Sequence, residues 1–420
     1  MSITFTQVVQ TASQTGSSFN ISITPNAAGN LLILGIGMYQ KGQIVSVADN
    51  NGNNWIPAIF NQQRGNSGGA VYHVPNCNAG ATTVTVTLLA SEADVALIVH
   101  EYSGCAQHHP IDGYAVGSGS TGTALATANF TTAEVNDVIF SFAAFIDQNI
   151  ASIGGGYTLR SNLSTDVWTA SGDLAAPTAG TYAGHWNAAI NSDYGIMAVG
   201  LSSVDNPNPW PVPVQVAVTE TTSAGSPITA TFSNNVTAGN AIVVACMGVS
   251  GMTWTGVTDA EGNTYHACAG ASVAGCAMFV AFGVAGGTAP AVHASYTGTF
   301  GTSGVYAIEV RDVNAYDTGS GNSGTGTTST PGSFTLRQPN EIVIAVASSP
   351  TLPLSNPGGE DSTYLLIQIT NSLTWLIEYQ TNVTGAQNPV GNMSGSTPWL
   401  MIAGGFYMAG TGGVSNLTAA

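Results

Sequence analysis

Two stretches of the chain repeat one another at a fixed offset, and this repetition constrains the fold more than any other feature of the sequence. AAGNLLILGIGM and TAGNAIVVACMG place Asn30 on Asn240, an offset of 210. VSVADNNGNNW and TGVTDAEGNTY place Asp49, Gly52, Asn53 and Trp55 on Asp259, Gly262, Asn263 and Tyr265 at the same offset. The offset then shrinks as loops differ: Glu101 falls on Glu309 (208), Asp112 on Asp317 (205) and Asn136 on Asn340 (204). The expectation is two tandem domains, 1–204 and 214–410, joined by a Pro-rich linker at 205–213 and followed by a Gly-rich tail at 411–420. The alternating prolines of the linker favour extended geometry and a semi-rigid spacer.

Within each half the apolar runs are short, rich in Val, Ile and Thr, and bounded by Gly, Asn, Ser and Pro, which is a strand pattern. Strands are expected at 17–24, 31–37, 82–88, 95–102 and 138–145. No segment of helical length keeps an i, i+3, i+4 apolar period. The predicted class is therefore all-β: two tandem antiparallel β-sandwich domains, each two-layered and of jelly-roll or Greek-key type. The Asp-x-x-Gly-Asn-x-aromatic element reads as a hairpin turn, with Asp49 or Asp259 bonding nearby backbone and Gly52 or Gly262 supplying a positive φ. A calcium loop would need further oxygen ligands at alternate positions, which neither copy has.

Charge narrows the partners. Five Lys+Arg against 22 Asp+Glu give a net charge of −17, with only 6% charged residues, where an average domain carries about 25%. Lys41, Arg64, Arg160, Arg311 and Arg337 are too few to line one face, so nucleic acid is not an expected partner. The hydrophobic fraction of 44% suggests a membrane protein at first sight, but a span needs about 18 continuous apolar residues. The best stretch, 274–292, is interrupted by Gly283, Gly286, Gly287, Thr288 and Pro290. No membrane span is expected, and no Sec-type signal is read at the start.

No catalytic constellation stands out. There is no H-E-x-x-H, and no sequence feature selects a carboxylate pair for glycoside chemistry. His100, Glu101, His108, His109 and Asp112 concentrate metal-capable groups, but Ile308 replaces His100 in the second half, so neither a metal nor a cofactor is expected. Glu101 and Glu309, at strand ends, are expected to anchor backbone amides. The Gly-rich stretches 117–122 and 319–326 lack a phosphate-loop lysine and read as flexible loops. Cys77, Cys105, Cys246, Cys268 and Cys276 include no C-x-x-C pair; Cys268 and Cys276 are spaced for a hairpin staple, though buried free thiols are the expectation. Aromatic residues matched between halves are expected in cores. Trp186, Trp210 and Trp254 are unmatched, and Trp186 and Trp254 are the candidate ligand-binding residues.

The pattern AGN…D-x-x-G-N-x-[WY]…EYSG…P-[IL]-D resembles an uncharacterised β-sandwich repeat of bacterial surface proteins and phage virion proteins. It is carried by Ala28 to Asn30, Asp49 to Trp55, Glu101 to Gly104 and Pro110 to Asp112, and again by Ala238 to Asn240 and Asp259 to Tyr265. The second half has Glu309-Val-Arg-Asp312 in place of the third block and lacks the proline of the fourth. The resemblance implies a fold and no chemistry. The expected function is a non-enzymatic structural or binding protein: a phage virion surface component such as a capsid decoration or head/tail fibre protein. Its expected partners are capsid or tail proteins of the same particle and further copies of itself. The alternative is a secreted adhesin or carbohydrate-binding protein at the cell surface, with a surface glycan as ligand.

Overall fold

A computed structural model of the chain describes residues 2–12, 14–39, 44–64, 67–119, 123–146, 150–163, 167–189, 193–206, 211–223, 225–248, 251–299, 301–349, 354–355, 365–370 and 374–408. The described residues form β-strands, turns and loops without helix, and every strand pairing is antiparallel. No helix among them is long and apolar enough to cross a membrane. The chain divides into two compact units, Met1–Pro209 and Trp210–Ala420.

Each unit is itself built from two copies of one topology. Copy 1 holds β1 (Thr4–Gln10), β2 (Gln14–Ser22), β3 (Leu31–Tyr39), β4 (Ile44–Asp49), β5 (Ile56–Arg64), β6 (Ser67–Val74) and β7 (Thr83–Ser103). Copy 2 holds β8 (Ile111–Gly119), β9 (Ala124–Ala126), β10 (Phe130–Thr132), β11 (Asp137–Ile146), β12 (Ile150–Ile153), β13 (Thr158–Leu163), β14 (Val167–Ala176), β15 (Gly180–Tyr182), β16 (His185–Ala188) and β17 (Tyr194–Leu201). Copy 3 holds β18 (Val212–Thr221), β19 (Ile228–Thr231), β20 (Ala241–Met247), β21 (Met252–Asp259), β22 (His266–Val273), β23 (Cys276–Ala281), β24 (Ala291–Gly298) and β25 (Ser303–Arg311). Copy 4 holds β26 (Ala315–Ser329), β27 (Phe334–Ser349), β28 (Leu354–Ser355), β29 (Leu365–Thr370), β30 (Thr374–Gln387) and β31 (Gly391–Tyr407).

The main sheets run β1-β7-β3-β6-β5, β8-β17-β11-β14-β13, β18-β25-β20-β23-β22 and β26-β31-β27-β30-β29. In every copy the first strand pairs with the last, the last with the central strand, and the central strand with the hairpin that follows it. A smaller set of strands recurs beside each main path: β9 and β12 flank β16, and β19 and β21 flank β24, as separate three-stranded sheets, whereas β2 and β4 flank the start of β7, and β28 pairs with β31, as branches of the main sheet. Two backbone features recur as well. The first strand slips register at Thr6, Asp112, Val214 and Asp317–Thr318, which marks a bulge. The residue two before the central ladder has positive φ, at Gly29, Asn136, Gly239 and Asn340, and these are the residue types that tolerate it best.

The central strands of copies 1 and 3 are buried along nearly their whole length. Leu31–Met38 and Ala241–Met247 contain no exposed residue, because their sheets are covered on both faces, and such strands read as continuous apolar runs instead of alternating ones. In copy 2, Ala143, Phe145, Ala170 and Ile196 pack on Leu125 and Trp186 of its small sheet, while Phe140 and Phe142 face copy 1. The two main sheets of this unit stack strand on strand, with β1 on β13, β7 on β14, β3 on β11, β6 on β17 and β5 on β8. In the second unit, β22 lies on β26 and β23 on β31. Copies 3 and 4 have their own cores, around Phe232, Trp254 and Phe279 and around Phe334, Trp399 and Met401.

Three expectations change. A half is a stack of two copies, not one two-layered sandwich. The Asp-x-x-Gly-Asn turn is not a hairpin: it carries β4 of the smaller set into β5 of the main path, and likewise β21 into β22. The Gly-rich stretches are strand, not loop: Gly117 and Gly119 end β8, and 319–326 lies inside β26. Glycine is required there by close approach, since a Cβ on Gly117 would lie 2.2 Å from the Ala126 carbonyl oxygen and one on Gly321 would lie 2.3 Å from that of Ser272. Residues 120–122, 207–210 of the linker and the 411–420 tail lie outside the described residues.

Candidate functional site

The most concentrated polar chemistry sits at the head of the central strand, at the same place in every copy. In copy 1, Glu101 Oε1 accepts from the Ala27 amide at 3.0 Å and from Asn30 Nδ2 at 2.6 Å, while Gln7 Nε2 donates to Oε2. Copy 3 repeats this arrangement: Glu309 Oε1 accepts from the Thr237 amide at 2.8 Å and Asn240 Nδ2 at 2.6 Å, and Gln215 Nε2 donates to Oε2 at 2.6 Å. Both glutamates are buried. Burial pushes the Glu309 carboxyl up, against the pull of these donors. The AGN motif is thus explained by its asparagine, which ties the strand head to a carboxylate whose two oxygens are both taken.

Copies 2 and 4 place the acid on a different strand. Gly200 and Gly405 stand where Glu101 and Glu309 pair across the ladder, and Asp137 and Glu341 replace Asn30 and Asn240. The space is the same: a Cβ on Gly405 would lie 2.9 Å from Glu341 Oε2. Facing each acid is the bulge residue, Asp112 or Asp317. Asp112 Oδ2 accepts from the Ala133 and Glu134 amides at 2.6 and 2.9 Å. Asp317 accepts from the Arg337 amide and from Arg337 Nε, each at 2.7 Å. Burial, reinforced by the neighbouring Asp112 carboxyl, holds Asp137 up at about 8; burial and Asp317 hold Glu341 up at about 8. Each pair therefore keeps a proton at neutral pH. A shared-proton dyad is suited to acid–base work when substrate can reach it, but Asp137 is 1% exposed and Glu341 0%, so these dyads close a bulge.

His100 lies elsewhere, between the main sheets of copies 1 and 2. Its Nε2 is 2.7 Å from Ser171 Oγ and its Nδ1 3.0 Å from the Tyr102 hydroxyl, which donates to Asp173 Oδ2 at 3.0 Å. Arg160 Nε completes the chain at 2.9 Å from the same oxygen, its guanidinium 4.0 Å over the Phe5 ring. Burial, with the Arg160 charge, lowers the His100 imidazole to about 3, leaving it neutral. A Ser–His contact resembles a nucleophile pair, but His100 and Ser171 are both 0% exposed, so the network is interior. The other groups that neighbour His100 in sequence go separate ways. The His108 and His109 amides both donate to Asp205 Oδ1 at 2.9 Å. Among the described residues, no three His, Cys, Asp or Glu side chains converge as a metal set.

The Asp-x-x-Gly-Asn turns are closed by protein donors. Asp49 accepts from the Asn51 and Asn53 amides, from Asn53 Nδ2 and from Trp55 Nε1. Asp259 accepts from the Asn263 amide, Asn263 Nδ2 and the Tyr265 hydroxyl. The motif's aromatic position is thus filled by Trp or Tyr because each carries a donor that reaches the aspartate. Replacing Asp259 by Ala is expected to cost about 1–3 kcal/mol, for the donors it leaves unpaired; chemical denaturation checks this.

Trp186 and Trp254 do not form a surface platform. Trp186 is 1% exposed and Trp254 8%, each in the core of its copy. Their indole N–H groups are satisfied inside, by Ser141 Oγ and by the Gly275 carbonyl, both at 2.9 Å. The position of Trp254 is taken in copy 1 by Ile44, which is also buried, so a core position is filled by a different residue. Trp186→Ala is expected to lose about 3–5 kcal/mol of stability, measured by urea unfolding. Trp210 lies outside the described residues. All five cysteines are free and buried, so Cys268 and Cys276 form no staple.

Comparison of the chain with protein-family models, with curated proteins and with solved structures gives no match. Sequence reasoning missed the acid dyads. Its one available signal was the pairing of Asp112 with Asp317 and of Asn136 with Asn340, each next to a carboxylate.

Proposed function

We propose that the chain is a non-enzymatic structural or binding protein of a particle surface, a phage virion component such as a capsid decoration or fibre protein. Its copies are read as small β-sandwiches of Greek-key type. The observation that carries this reading is the division of polar groups. The buried Glu101, Glu309, Asp112, Asp317 and His100 are spent on internal hydrogen bonds, whereas the outward sides of the smaller strand sets carry neutral hydroxyl and amide groups. On β2 and β7 these are Ser18, Asn20, Ser22, Thr83, Thr85 and Thr87; on β19 and β21 they are Thr229, Thr231, Thr253, Thr255 and Thr258. Such faces suit wide, hydrogen-bonded docking onto protein partners, including capsid or tail proteins and further copies of the chain. The adhesin reading loses the tryptophans that motivated it. Mass spectrometry of gradient-purified particles tests the proposal: the protein is expected at fixed stoichiometry to the major structural protein, and its absence from particles overturns it.

A further inference from the structure

In both units the main sheets of the two copies stack, over five strand pairs in the first unit and through β22, β23, β26 and β31 in the second, and the residues on the corresponding faces do not match. On the copy 1 face, β3 and β7 present Ile33, Gly35, Gly37, His100 and Tyr102. The equivalent ladder positions of copy 3 are Val243, Ala245, Met247, Ile308 and Val310. On the copy 2 face, β11 and β14 present Phe142, Ser171 and Asp173, where copy 4 has Val346, Ile377 and Tyr379. We propose that these differences are a pairing code, by which the main sheet of copy 1 accepts only copy 2 and that of copy 3 accepts only copy 4.

The code has a shape part. Gly35 and Gly37 leave a trough in copy 1: a Cβ on Gly35 would lie 2.3 Å from Phe142 Cδ2, and one on Gly37 would lie 2.5 Å from Thr169 Cγ2. Ala245 and Met247 fill that trough in copy 3, so Phe142 has no seat there. The second unit reverses the bump: Met278 of copy 3 reaches over Gly404 of copy 4, where a Cβ would lie 3.0 Å from its sulfur. Copy 2 has Val199 at that position, which blocks the same approach.

The code also has a polar part. His100 and Tyr102 require Ser171 and Asp173 opposite them, and Arg160 completes the chain. Set against Ile377 and Tyr379 of copy 4, His100 would lose its hydroxyl partner and Tyr102 its carboxylate inside a dry interface. Set against Ile308 and Val310 of copy 3, Ser171 would lose the imidazole, and Asp173 would lose the Tyr102 hydroxyl and keep Arg160 alone. Unpaired buried polar groups cost more than their satisfied counterparts gain, so this network discriminates more than it stabilises. Four copies of one topology on one chain need such discrimination, because every main sheet presents an apolar face that any other could cover.

The test uses the full chain refolded from urea. Gly35→Ala, His100→Ile, Tyr102→Val, Phe142→Val, Ser171→Ile and Asp173→Tyr together give the first unit the second unit's residues at these positions, with Gly37 kept because a Cβ there would meet Thr169. Arg160, partly exposed, keeps a path to solvent, and the discrimination between units is lost. The expected result is that the yield of monomer with native hydrogen-exchange protection in β3 and β11 falls at least about two-fold, with oligomers or mispaired monomers in its place. Wild-type yield and protection from this variant overturn the proposal. Should the variant not accumulate, a smaller pair decides: Gly35→Ala is expected to lower native yield, and adding Phe142→Val to restore it. An unaffected Gly35→Ala protein, or no rescue, overturns the proposal equally.

Discussion

The protein is expected to lose stability as pH rises from 6.5 to 8, a window in which ordinary carboxylates are ionised in both states and contribute no slope. Asp137 and Glu341 have folded-state pKa values raised to about 8 by burial and by the neighbouring acid, against about 4 in an unfolded chain. Between those values the folded state holds a proton that the unfolded state releases. Stability contributed by each dyad is therefore full below the unfolded value and is lost as pH climbs through the folded one, at about 1.4 kcal/mol per pH unit for each proton. His100 acts with the opposite sign. Its pKa is lowered to about 3, so the folded state stays neutral where the unfolded imidazole takes a proton, and stability falls as pH drops below about 6.5. Above 6.5 the dyads act together with Glu378, whose carboxyl burial also holds well up, and near pH 8 with the buried thiols, all with the same sign. Urea unfolding midpoints at pH 6.5, 7.25 and 8 should decrease steadily, and Asp137→Asn with Glu341→Gln should make the slope shallower. A midpoint that rises across this window, or a slope the double variant leaves unchanged, would contradict the assignment.

Removing Glu101 or Glu309 should be among the most damaging single changes in the chain. Each carboxylate satisfies a backbone amide, an asparagine and a glutamine at the head of a fully buried strand. Alanine strands all three donors, and at about 1–3 kcal/mol per orphaned group the expected loss is about 3 kcal/mol or more. The two glutamates sit in different units, so each variant should weaken one unit and leave the other intact. Two transitions in thermal unfolding, with the lower one assigned by hydrogen exchange to the mutated half, would be the signature. A loss below about 1 kcal/mol would mean that water replaces the carboxylate without penalty.

Much of the fold could be read from residues. The strand class followed from short Val, Ile and Thr runs between turn residues, and 31–37 and 138–145 fall within β3 and β11. The Asp-x-x-Gly-Asn turns behave as the aspartate and the glycine dictate, with Gly52 at φ 68° and Gly262 at φ 76°. The aspartate's role was legible because its partners lie within six residues of it. The connection that the turn makes was not, since the choice between a hairpin and a crossing to the main path depends on strands far along the chain.

The candidate sites were less legible. Trp186 and Trp254 looked exposed because no aromatic matched them, yet an unmatched tryptophan fills a core as readily as a surface when another apolar residue, as Ile44 for Trp254, takes the equivalent place. The acid dyads were hidden because their members are 25 residues apart in copy 2 (112 and 137) and 24 in copy 4 (317 and 341). A register slip in the first strand is what brings them together.

By itself the sequence determined an all-β chain that repeats across its midpoint, with two kinds of anchor, Asp49/Asp259 and Glu101/Glu309, preserved in both halves. Only the tertiary structure decided that each half is again a pair of copies. Copies 1 and 2 share strand order, a bulge and a positive-φ position, and these are backbone properties that many residues satisfy. Their side chains had to diverge, because the two faces of one interface must be complementary and not alike: Gly35 accepts Phe142, and His100 needs Ser171. Copies 1 and 3 occupy the same role in their units and kept the anchors of that role, Asn30/Asn240, Asp49/Asp259 and Glu101/Glu309, while their interface residues differ. The repeat visible in the sequence is therefore the one between equivalent roles, and the one hidden in the structure is between partners.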